Sequence, residues 1–303
     1  MGIDYHLYRR FHTELLEAED TEGRRRVLAA WTGRISALFG ELAPLRHRES
    51  PPLRERAGES AEWYGPALYA LYAVGRVSDF LLELGCPPGE PPFPGVTGGR
   101  TPAPDELALH ERFFRATGLR SFTRERSFSP FHHEIFAVVP DEGANEVTVE
   151  QVLWPGFRFG DLLFCRAGVR VRAPARLIDP VAATTSTLYF TSRRAPRNSS
   201  DLSHGWGSNS QWRTRFHRFY QDAAGLHLNW DGQIHLGPDH RPGPDEHPDI
   251  EQRRTLLLHR CLVTAPLPTD EHDRFPFEDR LTLTRSTWPL TESDLLPAAA
   301  PRR

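Results

Sequence analysis

Lysine is absent from this chain of 303 residues, so all 37 of its basic residues are arginines. Pyridoxal-phosphate enzymes of the usual kind form a Schiff base with a lysine, and P-loop nucleotide sites and protein kinases place a lysine against the phosphates. The sequence therefore excludes these three classes. The use of arginine in place of lysine is typical of a GC-rich genome, which predicts a bacterial source.

Cysteine is scarce as well. Cys86, Cys165 and Cys261 lie far apart, a spacing that builds neither a disulfide framework nor a metal knuckle and that favours a reducing compartment. No apolar run approaches the roughly 18 residues of a membrane span, and the Arg9-Arg10 pair is not followed by the apolar segment of an export signal. These features predict a cytoplasmic protein that does not contact a membrane.

The chain also lacks a strong excess of charge of either sign, because its formal net charge is −3. Nucleic-acid-binding domains usually carry a pronounced basic patch or stripe, so we expect no nucleic-acid partner. Aromatic residues make up 11% of the chain, which favours packed cores over disorder. The composition leaves the oligomeric state open.

Helical periodicity dominates the first 118 residues, where four segments repeat apolar side chains every three or four positions. Thr21 is the expected cap of the second helix. Cys86–Pro104 contains seven prolines, which fit the interior of neither a helix nor a sheet, and we interpret it as an extended surface connector. The apolar face of the first helix consists of Ile3, Leu7, Phe11 and Leu15.

Short segments with period-two alternation replace this pattern from residue 119. Seven or eight of them, separated by turn residues, predict an antiparallel β-sandwich or a barrel-like region. Within it, Trp154-Pro155-Gly156-Phe157 predicts a type II turn, Asp231-Gly232 predicts a hairpin, and Asp249 is a suitable cap for a C-terminal helix. The predicted fold class is α+β, with a helical region over residues 1–118 and an antiparallel β-rich domain with a C-terminal helix over residues 119–303.

The densest group of functional side chains lies between Asp201 and Tyr220. Short polar side chains supply donors and acceptors there, glycines allow a ligand to approach closely, and arginine forks suit carboxylate or phosphate. We assign catalytic roles to His204 and Ser208; the alternative is a surface loop that leads into a strand. The predicted substrate-binding residues are Ser203, Trp206, Asn209, Gln211, Trp212 and Arg213.

A second candidate is His132 with Glu134, which would share one face of a strand. Such a pair could hold a divalent metal if His204 or His217 supplied a third ligand. The alternative is that both side chains are solvated and that His133 is a core histidine.

Together these features favour a cytoplasmic enzyme that acts on a small, anionic molecule in a pocket of the β-rich region. Its chemistry would use histidine and arginine, with metal assistance if His132 and Glu134 bind a cation. A non-catalytic small-molecule-binding protein would use the same pocket. An interaction or structural protein would instead use the helical region and the proline-rich connector.

Overall fold

The computed structural model describes residues 3–48, 59–84, 104–123, 127–180, 183, 216–241, 250–259, 278–285 and 287–297. Within these ranges the chain forms five α-helices and two β-sheets of seven and three strands, which confirms the α+β class. No helix in this described part combines the length and the apolar character that crossing a bilayer requires.

Four helices precede the first strand. Phe11 and Leu15 are fully buried, which confirms the predicted apolar face of the first helix. The second helix begins at Thr21, and its cap is Asp20, one residue earlier than predicted, whose carboxylate accepts a hydrogen bond from the Gly23 amide at 2.6 Å. The helices are α1 (Tyr5–Glu17), α2 (Thr21–Glu41), α3 (Glu59–Leu84) and α4 (Pro104–Ala116).

Ten strands form the two sheets. The larger sheet contains β1 (Arg120–Phe122), β4 (Gly156–Phe159), β5 (Leu162–Cys165), β7 (Tyr220–Asp222), β8 (Gly225–Leu228), β9 (Ile234–His235) and β10 (Asp279–Leu283), and the smaller contains β2 (His133–Pro140), β3 (Thr148–Trp154) and β6 (Ala167–Ala173). Their orders are β1-β4-β5-β7-β8-β10-β9 and β2-β6-β3.

The pairing is mixed rather than antiparallel throughout, because β2 pairs with β6, and β9 with β10, in parallel. The described strands also leave each sheet with two edges, so they do not close into a barrel. The hairpin predicted at Asp231-Gly232 is wrong, since β10 lies between β8 and β9. Period-two alternation reveals which face a side chain occupies but carries no information about the neighbouring strand.

Two of the connections between the sheets are corners of a single residue, after β3 and after β5. Gly156 begins β4 instead of occupying a turn position, so the type II turn prediction is wrong there. A Cβ on Gly156 would lie 2.2 Å from Cζ of Phe122, so glycine is needed for close packing against this ring. The second corner is Arg166, the one residue between β5 and β6.

The helical region packs on one face of the larger sheet. Phe157, Phe159 and Tyr220 belong to the same apolar core as Trp31 and Leu68 of the helices. The predicted boundary at residue 118 stays a prediction, and both sides of it contribute to this core. The opposite face carries Phe131, Leu163 and Leu228, together with Leu257 and Leu258 of α5 (Ile250–His259), which confirms the C-terminal helix.

Gly33→Ala should stabilise the protein. Gly33 is exposed in the middle of α2, and an added Cβ would meet no atom within 4 Å. Alanine restricts the unfolded chain more than glycine does, so we expect the free energy of unfolding to rise by about 0.5–1 kcal/mol. Urea denaturation of the two proteins measures the difference, and an unchanged or lower midpoint would contradict this account of α2.

Candidate active site

The sequence-predicted ligand site lies outside the described residues. The catalytic candidates His204 and Ser208 and the binding candidates Ser203, Trp206, Asn209, Gln211, Trp212 and Arg213 all fall in the range 201–215, so their roles stay predictions. Phe216 follows this range, and its amide donates to the Leu68 carbonyl of α3 at 3.1 Å. The ring of Phe216 stacks on Phe164 of β5, with 5.7 Å between centroids.

His132 lies in the turn before β2 and not on the strand that the sequence predicts. It is 2% exposed, and polar atoms contact both ring nitrogens. Nδ1 lies 2.8 Å from Ser129 Oγ, whereas Nε2 lies 2.9 Å from the Gln221 side chain and 2.7 Å from Nη2 of Arg158. The ring is therefore held between the turn and strands β4 and β7 of the larger sheet.

The hydrogen-bond partners favour a neutral form of this ring. Arg158 can only donate, so its approach at 2.7 Å makes Nε2 an acceptor, and Nδ1–H then donates to Ser129 Oγ. Burial lowers the pKa of His132 to about 3; the hydrogen bond with Gln221 opposes this shift, whereas the charges of Arg158, His133 and Arg166 add to it. His132 is therefore uncharged at neutral pH.

The metal assignment of His132 and Glu134 stays a prediction, but the surroundings disfavour a cation. Both side chains are buried, so the solvated alternative is wrong. A metal at His132 would have to displace Ser129 or stand beside the permanent charge of Arg158. Among the described residues, no three or more His, Cys, Asp and Glu side chains are grouped as metal ligands.

Arg166, at the corner between the sheets, adds a second positive charge to that of Arg158. Its Nε donates to the Pro130 carbonyl at 3.1 Å, and its guanidinium lies 5.1 Å from the ring centroid of Phe219. Nδ1 of the neighbouring His133 accepts from the Ser129 amide at 3.1 Å, and burial lowers the pKa of His133 to about 4. We call His132, His133, Arg158 and Arg166 the corner cluster.

Arg158 links the corner cluster to the surface. It is half-buried on β4, and its guanidinium carbon lies 5.2 Å from the ring centroid of Phe122. The register of β1 and β4 pairs Arg158 directly with Arg120, which is exposed. Directly opposed residues of antiparallel strands share a face, so Arg120 and Arg158 lie on the same face of the sheet, and β1 is its edge strand.

Sequence reasoning missed Arg158, Arg166 and Gln221 as members of one site. The only local signal is the alternation Phe157-Arg158-Phe159, which indicates that the arginine faces away from the helix-facing core. That pattern is equally typical of a solvated strand face. Their convergence on His132 depends on the fold.

Arg218, an arginine of the Asp201–Tyr220 stretch, is not available to an external anion. The side chain is fully buried, and its Nε and Nη2 donate to the two carboxylate oxygens of Asp231, the first at 2.9 Å. Burial opposes the charge, but the hydrogen bonds and charge of Asp231 outweigh it and raise the pKa of Arg218. Arg218 thus serves an internal ion pair.

Acid should destabilise the protein below about pH 6.5. Burial holds the pKa of His132 near 3 and those of His133 and His235 near 4. Between these pKa values and pH 6.5, the unfolded chain therefore binds more protons than the folded chain. Each histidine should remove up to about 1.4 kcal/mol of stability per pH unit in this window. Urea denaturation at pH 7.5 and pH 5.0 measures the loss, and a His132→Asn variant should show a smaller slope; equal slopes would contradict the neutral ring.

Comparison with known proteins returned no relative: no protein-family model, no curated protein and no solved structure matches the chain.

Proposed function

We propose that the protein binds a small anionic molecule, such as a phosphate ester or a carboxylic acid, at the edge of the larger sheet beside the corner cluster. The observation that carries the proposal is the direct cross-strand pairing of Arg120 with Arg158. The sequence predicts an anion pocket in the same β-rich region, but from residues 203–213, which lie outside the described residues.

Two like charges in a directly opposed cross-strand pair destabilise a sheet. Arg158 also contacts neutral His132 on its inner side, and Arg166 adds a further positive charge nearby. An anion bridging the two guanidinium groups would remove this repulsion and would accept from both forks at once. The half-buried ring of Phe122, under the Arg158 guanidinium, offers apolar surface to the rest of the ligand.

The proposal extends to catalysis through the stretch that contains Ser203 and Arg213. Arg213, Trp206 and Trp212 would add ligand contacts, and His204 and Ser208 would act if the bound molecule is converted, within the cytoplasm. The pairing of Arg120 with Arg158 supports binding, whereas turnover rests on the residue types of this stretch. A molecule that is bound without being converted would make the protein a small-molecule-binding protein.

Inorganic phosphate and citrate are suitable probes, measured by thermal shift and isothermal titration calorimetry. We expect binding by the wild-type chain and a roughly tenfold or larger loss of affinity in both Arg120→Gln and Arg158→Gln, because each removes one charged fork. Arg120 is exposed, so its variant should fold normally.

Arg172→Gln is the matched control, because Arg172 is also a strand arginine but is paired with Glu150 at 2.5 Å. It should bind the probes as the wild type does. Equal affinities in Arg120→Gln, Arg158→Gln and Arg172→Gln would refute the site.

A further inference from the structure

We propose that Thr282, His227 and Asp222 form a nucleophilic triad that hydrolyses a small ester. This Thr282 triad lies on the face of the larger sheet that carries Tyr220 and packs against α1–α4, whereas the corner cluster lies on the face that packs against α5. Strand β7 contributes to both sites, on opposite faces of the sheet. Gln221 contacts His132, and the next residue, Asp222, contacts His227. The Thr282 triad shares no residue with the anion site of Arg120 and Arg158.

The register of three neighbouring strands brings the triad together. His227 on β8 has Tyr220 of β7 and Thr282 of β10 as its cross-strand partners. Asp222 follows two residues after Tyr220 and therefore shares its face. Asp222 and His227 are 5 residues apart in the sequence, and His227 and Thr282 are 55 residues apart. A short sequence motif therefore cannot identify this triad.

The acidic member of the triad is held ionised. One oxygen of Asp222 accepts from the amides of Ala224 and Gly225 at 2.8 and 3.2 Å, and the other accepts from Arg48 Nε at 2.6 Å. Burial opposes ionisation, but the hydrogen bonds from Arg48, His227 and Ala224 outweigh it and lower the pKa of Asp222 to about 2.

An ionised Asp222 fixes the proton on the histidine. His227 Nε2 lies 3.0 Å from the carboxylate and must donate to it, so Nδ1 carries the lone pair. That lone pair faces Thr282 Oγ1 at 3.3 Å. Burial lowers the pKa of His227, which leaves the ring neutral and able to take a proton at neutral pH. Nucleophile, base and orienting carboxylate thus stand in the order that activates a hydroxyl group.

Two further side chains shape the surroundings of the triad. Trp230 is half-buried and meets His227 edge-on, with 5.7 Å between ring centroids. The guanidinium carbon of Arg48 lies over the same indole, 5.2 Å from its centroid, and the Arg48 side chain is 33% exposed. The indole offers a flat apolar surface to an acyl group, and Arg48 donates to Asp222 and so helps to keep that carboxylate ionised. Thr282 is itself half-buried and so reachable from solvent.

The reaction balances without a cofactor. Thr282 Oγ attacks the ester carbonyl carbon while its proton passes to Nδ1 of His227, and the bond to the leaving oxygen breaks as His227 returns the proton to it. The alcohol leaves, and Thr282 carries the acyl group as an ester. Water then attacks the same carbon with His227 as base, which releases the carboxylic acid and restores the threonine hydroxyl.

A fluorophosphonate probe and p-nitrophenyl acetate test the triad on the full chain. We expect mass spectrometry to find the phosphonyl group on Thr282, and nitrophenol release to fall roughly 100-fold or more in Thr282→Val, which keeps the side-chain shape. Thr282→Ser should retain labelling and hydrolysis, because it restores the hydroxyl. Thr284→Val is the matched control, since the Thr284 hydroxyl donates to the Asp294 carbonyl on the same chain segment, and it should behave as the wild type does.

Three results would overturn the proposal: absence of label at Thr282, equal hydrolysis by wild type and Thr282→Val, or label that persists elsewhere in Thr282→Val. A thermal melt of each variant shows that it is folded, and Thr282→Ser separates loss of the hydroxyl from loss of packing. Phosphate binding by Arg120→Gln reports the anion site separately, so either proposal can fail without the other.

Discussion

Asp231→Asn should lower the free energy of unfolding by about 3–5 kcal/mol, the usual loss when one partner of a buried ion pair is removed. Arg218 is fully buried, and the two oxygens of Asp231 accept from its Nε and Nη2. Asparagine keeps the size of the side chain but leaves the guanidinium charge in the interior without its neutralising carboxylate. Urea denaturation followed by circular dichroism gives the difference.

Glu150→Gln is the matched control for this result. Glu150 pairs with Arg172 at 2.5 Å, but the two side chains are 35% and 42% exposed, so water screens the pair and its removal should cost at most about 1 kcal/mol. Similar losses for Asp231→Asn and Glu150→Gln would contradict the buried role of Arg218.

Gly168→Ala should destabilise the protein by about 3 kcal/mol or more. Gly168 lies on β6, the central strand of the smaller sheet, opposite Trp154 of β3. An added Cβ would lie 2.0 Å from Cε2 of that indole, and Trp154 is 1% exposed and packs edge-on against Phe136, so it has little room to move. Overpacking of a rigid core usually costs about 1–3 kcal/mol and more where a ring must be displaced.

The comparison with Gly33→Ala separates steric conflict from the general effect of replacing glycine, since Gly33 has open space and Gly168 does not. In a double-mutant cycle, Trp154→Leu should relieve part of the cost of Gly168→Ala, because the smaller side chain vacates the position of the new methyl group. Strictly additive losses would show that the indole is not the obstacle.

The corner cluster shows how far residue patterns reach toward a site. His132 stands out in the sequence as a polar residue next to a buried strand, and its partner Ser129 is only 3 residues away. The partners that set its charge are more distant, with Arg158 26 and Gln221 89 residues further along the chain. Without these partners, the sequence suggests that His132 and Glu134 are metal ligands on one strand. In the fold, His132 instead contacts a cationic side chain and hydrogen-bonding side chains.

The sequence by itself determined the features that depend on composition and on local periodicity. The absence of lysine excludes whole classes of chemistry, the spacing of Phe11 and Leu15 places them on one buried helix face, and short alternating segments predict strands. Tertiary structure alone decided which strands are neighbours, that β10 separates β8 from β9, and that Asp231 neutralises Arg218. The physical reason is range: helix and strand periods arise between residues a few positions apart, whereas sheet order and charge pairing depend on burial shared by distant segments.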